Sequence, residues 1–126
     1  MEKQSLPIGG LRFVDRGDLA SYDFTTPDFI TDGNEHDLDL SHIVETGASA
    51  VLLGTSVYDE RPDTFITFKK KENLNNINIA LTAVIIKNVV TYLDLICPIG
   101  PSKKLTYKAT NTAWTWIYLF VKAWWI

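Results

Sequence analysis

Apolar and polar residues alternate with a period of two along most of this chain, the spacing at which every second side chain of an extended strand shares a face. Leu105, Tyr107 and Ala109 alternate with Lys104, Thr106 and Lys108. Val51, Leu53 and Val57 share a face in the segment from Ala48 to Tyr58. Ile77, Ile79, Leu81, Ala83 and Ile85 lie together opposite Asn78, Ala80 and Thr82. Between these runs stand turn clusters: Asp32-Gly33-Asn34, Glu45-Thr46-Gly47, Asp59 to Asp63, Lys70 to Asn76 and Pro98 to Pro101. They supply Gly, Pro, Asn or Asp where the backbone reverses. Prolines 7, 27, 62, 98 and 101 fall outside the strand interiors, as a missing N–H requires.

The pattern predicts strands over 11–15, 20–25, 36–40, 48–58, 64–69, 77–86, 89–97, 103–110 and 114–125, with one short helical turn over 40–44. Eight or nine strands with almost no helix predict an all-β, two-sheet antiparallel sandwich of jelly-roll or Greek-key type. No fixed-period repeat or low-complexity linker divides the chain, so residues 1–126 are expected to form one domain, with the role of segment 1–34 open.

Composition sharpens this. An apolar fraction of 46% against 21% charged residues supports a packed core and excludes a disordered chain. The single cysteine, Cys97, cannot staple the fold, so packing must hold it and neither disulfides nor an oxidising compartment are required. The opening MEKQSLPIGG lacks the apolar stretch of a secretory leader, and no apolar run reaches the roughly 18 residues of a membrane helix. The expectation is therefore no membrane partner.

Charge divides unevenly. Residues 1–63 carry −9 and residues 64–126 carry +6, giving the net −3. Either the halves interleave in one sandwich and neutralise each other, or they attract neighbouring subunits or an anionic partner. The first is expected, because antiparallel strands favour opposite-charge neighbours.

The segment Thr112 to Ile126, TAWTWIYLFVKAWWI, concentrates the aromatic residues. Strict parity places Ile117, Leu119, Val121, Ala123 and Trp125 on one face and Trp114, Trp116, Tyr118, Phe120, Lys122 and Trp124 on the other. Lys122 marks the second face as the one nearer water, although a β-bulge would exchange the faces part-way. Five rings left bare there would approach or exceed the roughly 300–600 Å² of the largest apolar patch on a typical monomer. Some cover is required: the N-terminal residues Leu6, Ile8, Leu11 and Phe13, a second subunit, or a ligand such as a carbohydrate. Trp114, Trp116, Tyr118, Phe120 and Trp124 are accordingly the candidate interface or ligand-binding residues.

The stretches ATNTAWTWIYLFVKAWW (109–125) and DLDLSHIVETGASAVLLGTSVYD (37–59) resemble the closing and early strands of small jelly-roll-like β-sandwich modules in phage and archaeal virus proteins. The resemblance spans residues 35–126, with Asp94, Asn111 and Trp114 its most recognisable positions. It implies a non-enzymatic viral structural or interaction protein, in the virion or the host cytoplasm. Its partners would be its own copies, other virion proteins or a surface glycan. The resemblance brings no catalytic residues with it.

Other chemistry is weakly supported. Asp32, Glu35, His36, Asp37, Asp39 and His42 form the one cluster with metal-ligating side chains, but the spacing matches no metal motif. On a strand His36 would point away from Asp37 and Asp39, so a solvated acidic strand is expected and no metal or cofactor. No Gly-x-Ser-x-Gly, Gly-x-Gly-x-x-Gly or phosphate-cradling Gly-Lys-Ser/Thr sequence occurs. Cys97 precedes a proline and lacks an evident His partner, so it is expected to behave as a small buried apolar residue. Lys69-Lys70-Lys71 is expected to be a solvated turn that blunts a strand edge. An acidic chain without a broad basic stripe gives no reason to expect a nucleic-acid partner.

Overall fold

The computed structural model describes residues 11–126. The alternating runs form eight strands: β1 (Phe13–Asp15), β2 (Glu35–Asp39), β3 (Ala50–Tyr58), β4 (Phe65–Lys70), β5 (Ala80–Ala83), β6 (Thr91–Pro98), β7 (Lys104–Ala109) and β8 (Trp116–Trp125). They make two four-stranded antiparallel sheets, one ordered β1-β8-β3-β6 and the other β2-β7-β4-β5. The pairing is nested: β1 with β8, β2 with β7, β3 with β6 and β4 with β5. Such a chain is one long hairpin rolled upon itself, and β3–β8 and β4–β7 contacts close the roll. This is the jelly-roll arrangement of a β-sandwich.

The core lies between the sheets. Val51, Leu53 and Val57 of β3 and Ile117, Leu119 and Val121 of β8 face Ile66 and Phe68 of β4 and Leu105 and Tyr107 of β7. Strand parity produces this, since the members of each row stand two or four positions apart along their strand.

Two local expectations are corrected and a third is met. The strand expected over 20–25 is reduced to one bridge, Phe24 opposite Leu119. Gly17, at a φ of +90°, helps turn the chain away after β1, and residues 18–23 loop outward before returning. The helical turn expected over 40–44 is present as a turn, with the Ile43 and Val44 N–H groups donating to Leu40 O, and an unforeseen 3₁₀ turn occupies Thr26–Asp28. The strand expected over 77–86 contracts to β5. Its apolar row faces outward: Thr82 is fully buried, whereas Leu81 is 44% and Ile77 90% exposed.

Among the described residues, two ion pairs join the acidic and basic halves of the chain. The outward carboxylates of β2 lie beside the lysines after and within β4, with Glu35 3.1 Å from Lys69 and Asp37 2.6 Å from Lys71. Lys69 is buried rather than solvated, and its ammonium also donates to Asn76 Oδ1 at 2.8 Å, pinning the β4–β5 loop. The lysine run is thereby built into the fold.

Candidate functional site

The outer face of the β1-β8-β3-β6 sheet carries the aromatic residues, but not all those that parity assigned. β8 runs opposite β3 in regular register from Trp116 to Val121. Leu53 then pairs with Val121 and Leu52 with Ala123, leaving Lys122 as an extra residue. This bulge exchanges the faces. Trp116, Tyr118 and Phe120 point outward, while Trp124 turns into the core beside Val51 and donates its indole N–H to Glu45 Oε1 at 3.0 Å. Trp125 moves to the outer face, where Phe13 meets it edge-on at 5.3 Å. Trp114 is also a correction: it precedes β8, belongs to the core and donates to Thr110 O at 3.2 Å. A loop residue does not follow the strand's alternation.

The three outward rings of β8 stand in a row that other segments extend. Tyr58 stacks on Trp116 at 4.5 Å, and Trp116 lies parallel to Tyr118 at 5.7 Å. Tyr22, on the loop after β1, meets Tyr118 at 4.9 Å and Phe120 at 5.8 Å. Trp116 donates to Ser56 Oγ at 3.3 Å. Tyr58, Trp116, Tyr118 and Phe120 are only partly exposed, and Tyr22 at the end of the row is 39% exposed. The cover therefore comes from within the chain, through Tyr22 and Tyr58. Of the four residues expected to provide it, Phe13 covers Trp125, Leu11 is exposed, and Leu6 and Ile8 lie outside the described residues.

Beside this row β3 presents small side chains. Gly54 lies under Phe120, so close that a Cβ there would come within 2.5 Å of the ring. Tyr92 and Asp94 of β6 stand across it, and Asp94 reaches Lys122 at 2.9 Å. Gly54, Tyr92, Asp94, Phe120 and Lys122 bound an open hollow of about 330 Å³. Sequence reasoning missed Tyr22, Tyr58 and Tyr92, because which strand adjoins β8 cannot be read from alternation. A mid-strand glycine, Gly54, was the available signal for a close approach.

A second surface surrounds β5 and β6, which lie against each other at one side of the sandwich. Among the described residues, most of the large apolar side chains that remain exposed belong to residues 74–96, including Ile85 at 74%, Tyr92 at 72% and Ile96 at 62%.

The candidate reactive groups do not converge. Among the described residues no three His, Cys, Asp or Glu side chains gather to hold a metal ion. His36 shares a 2.8 Å hydrogen bond with Asp32; that bond and the Asn34 N–H hold the Asp32 carboxyl below its usual range. Cys97 is fully buried, and burial pushes its thiol up to about 12, leaving no thiolate at neutral pH. Asp59, also fully buried, accepts from Thr115 Oγ1 at 3.1 Å and lies 3.2 Å from Arg61 Nε. Arg61 in turn donates to Ala113 O at 2.8 Å, so the group ties the β3–β4 loop to the segment before β8. No helix among the described residues is long and apolar enough to cross a membrane.

Comparison with known protein families and with curated protein sequences finds no match to this chain.

Proposed function

We propose that this chain is a non-catalytic viral structural or interaction protein that acts by self-assembly. One observation carries the reading: the β5–β6 side of the sandwich exposes an apolar surface that nothing among the described residues covers. The row from Ile77 to Ile85, which alternation placed on a single face, is turned outward along β5, and β6 adds Tyr92, Leu93 and Ile96. Exposed apolar surface of that extent marks an interaction site. The jelly roll is shared by viral capsid and lectin domains, which supports the class by analogy of fold alone. Assembly with other virion proteins, in the particle or the host cytoplasm, follows from the same reading. Light scattering after size exclusion tests it. The expected result is a species larger than one chain, and a strict monomer at the highest soluble concentration overturns the proposal.

A carbohydrate- or receptor-binding role is the second reading, and the hollow over Gly54 favours it. Tyr92 offers an open ring on which a sugar can stack, while Asp94 and Lys122 offer an acceptor and a donor at its margin. The predicted platform of Trp114, Trp116, Tyr118, Phe120 and Trp124 is thereby narrowed to its Phe120 end. Glycan-array screening of the wild type beside Tyr92→Ala tests this. Binding lost in the variant supports it, and an array without signal removes it.

A further inference from the structure

Resting on the self-assembly reading, we propose that the partner at the β5–β6 side is a second copy of this chain, joined edge to edge. β6 then pairs antiparallel with β6 of the second copy about a two-fold axis at Leu95, and two four-stranded sheets become one of eight.

The edges of the sandwich are protected unequally. A free strand edge presents unpaired N–H and C=O groups, and proteins blunt such edges with short strands, charges, prolines or bulges. β1 has three residues and β5 four, while β2 alternates Glu35, Asp37 and Asp39 along its outward row. Among the described residues β6, eight residues long, pairs with β3 alone and keeps regular register throughout. Its one charge is Asp94, and its proline stands at the very end. β6 is the long, even and little-guarded edge.

The edge is apolar as well as open: Tyr92, Leu93 and Ile96 of β6 are exposed at 72%, 42% and 62%.

Self-pairing must also be self-complementary, because a two-fold contact sets residue i opposite j and j opposite i. An axis at Asp94 would set two carboxylates face to face. An axis at Leu95 sets Asp94 opposite the second copy's Ile96 on the outer row and Leu93 opposite its Cys97 on the inner row. Leu93 lies in the core-facing row yet is 42% exposed, so this edge retains apolar surface against which a second strand can lie.

Sedimentation equilibrium of the full chain tests the arrangement with two substitutions of opposite sign at one exposed position. Ile96→Lys would face the second copy's Asp94 and is expected to hold the dimer as well as the wild type or better. Ile96→Asp would set carboxylates opposite each other twice per dimer and is expected to raise the dissociation constant roughly tenfold. Melting curves matching the wild type under monomeric conditions would show that both variants fold. Equal weakening by both substitutions overturns the edge pairing but leaves self-assembly standing, because a merely apolar contact resents either charge. A monomeric wild type overturns both.

Discussion

Arg16 and Asp23 pair with each other and together satisfy both backbone polar groups of Val121. Arg16 Nη2 donates to Asp23 Oδ1 at 2.9 Å, Arg16 Nη1 donates to Val121 O at 3.1 Å, and Val121 N donates to Asp23 Oδ2 at 2.8 Å. Two side chains thus stand in for the strand that is missing beside β8 between β1 and Phe24. The loop they hold delivers Tyr22 onto Tyr118 and Phe120. Asp23→Ala strands the Val121 N–H and frees the guanidinium, so a loss of about 1–3 kcal/mol is expected in urea unfolding. Acrylamide should also quench Trp116 more readily, while the far-ultraviolet signal of the sheets is kept.

Gly54 and Phe120 offer a test of the aromatic face itself. Because a Cβ at position 54 would lie 2.5 Å from the Phe120 ring, Gly54→Ala must displace that ring. The expected cost is about 1–3 kcal/mol, as for other overpacked sites. In a Phe120→Ala background the same substitution still meets Lys122 Cε at 3.1 Å, but that flexible side chain can move aside, so it should cost much less. A double-mutant cycle measured by thermal or urea unfolding reads the difference.

Much of this architecture was legible in the chain, and the exceptions have identifiable physical causes. Alternation located the runs that became β3, β7 and β8, because a half-buried strand must place apolar side chains two apart. It misassigned Trp124, since one extra residue at Lys122 reverses every position after it. It also misassigned Trp114, which a loop carries into the core. At β5 the rows were correctly separated, but their orientation was set by the fold: Ala80 and Thr82 fit the narrow edge of the sandwich against Phe68 and Ile66, so Leu81 faces outward. Thr82 even buries its hydroxyl without a hydrogen-bond partner. Tyr22 and Tyr92 reached the candidate face through strand order, which nested pairing decides and local pattern does not record.

Tyr107 provides a third test, within the core. Its ring packs edge-on to Phe29 at 5.2 Å, and its hydroxyl accepts the Ile30 N–H at 2.8 Å. Burial raises the phenol above its usual range, so it stays neutral where exposed tyrosines ionise. Tyr107→Phe keeps the ring and deletes only the acceptor. A loss of about 1–3 kcal/mol is expected, because the Ile30 N–H is left without its partner. The urea midpoint should fall while the slope of unfolding is unchanged.

Cys97 links burial to pH. Its thiol is raised from 9.0 to about 12 by desolvation, so the folded chain keeps a proton that the unfolded chain releases across that interval. A raised thiol stabilises the fold in full below pH 9, and the contribution fades as pH climbs towards about 12. The decline is at most about 1.4 kcal/mol per pH unit. Cys97→Ala should therefore show a shallower loss of stability than the wild type above pH 9, together with a constant offset at neutral pH from the vacated volume. An aromatic disulfide reagent at pH 8 should leave the native thiol untouched and label it rapidly in urea. Rapid labelling of the folded chain would show that the β3–β6 side opens and that Cys97 is not sealed in the core.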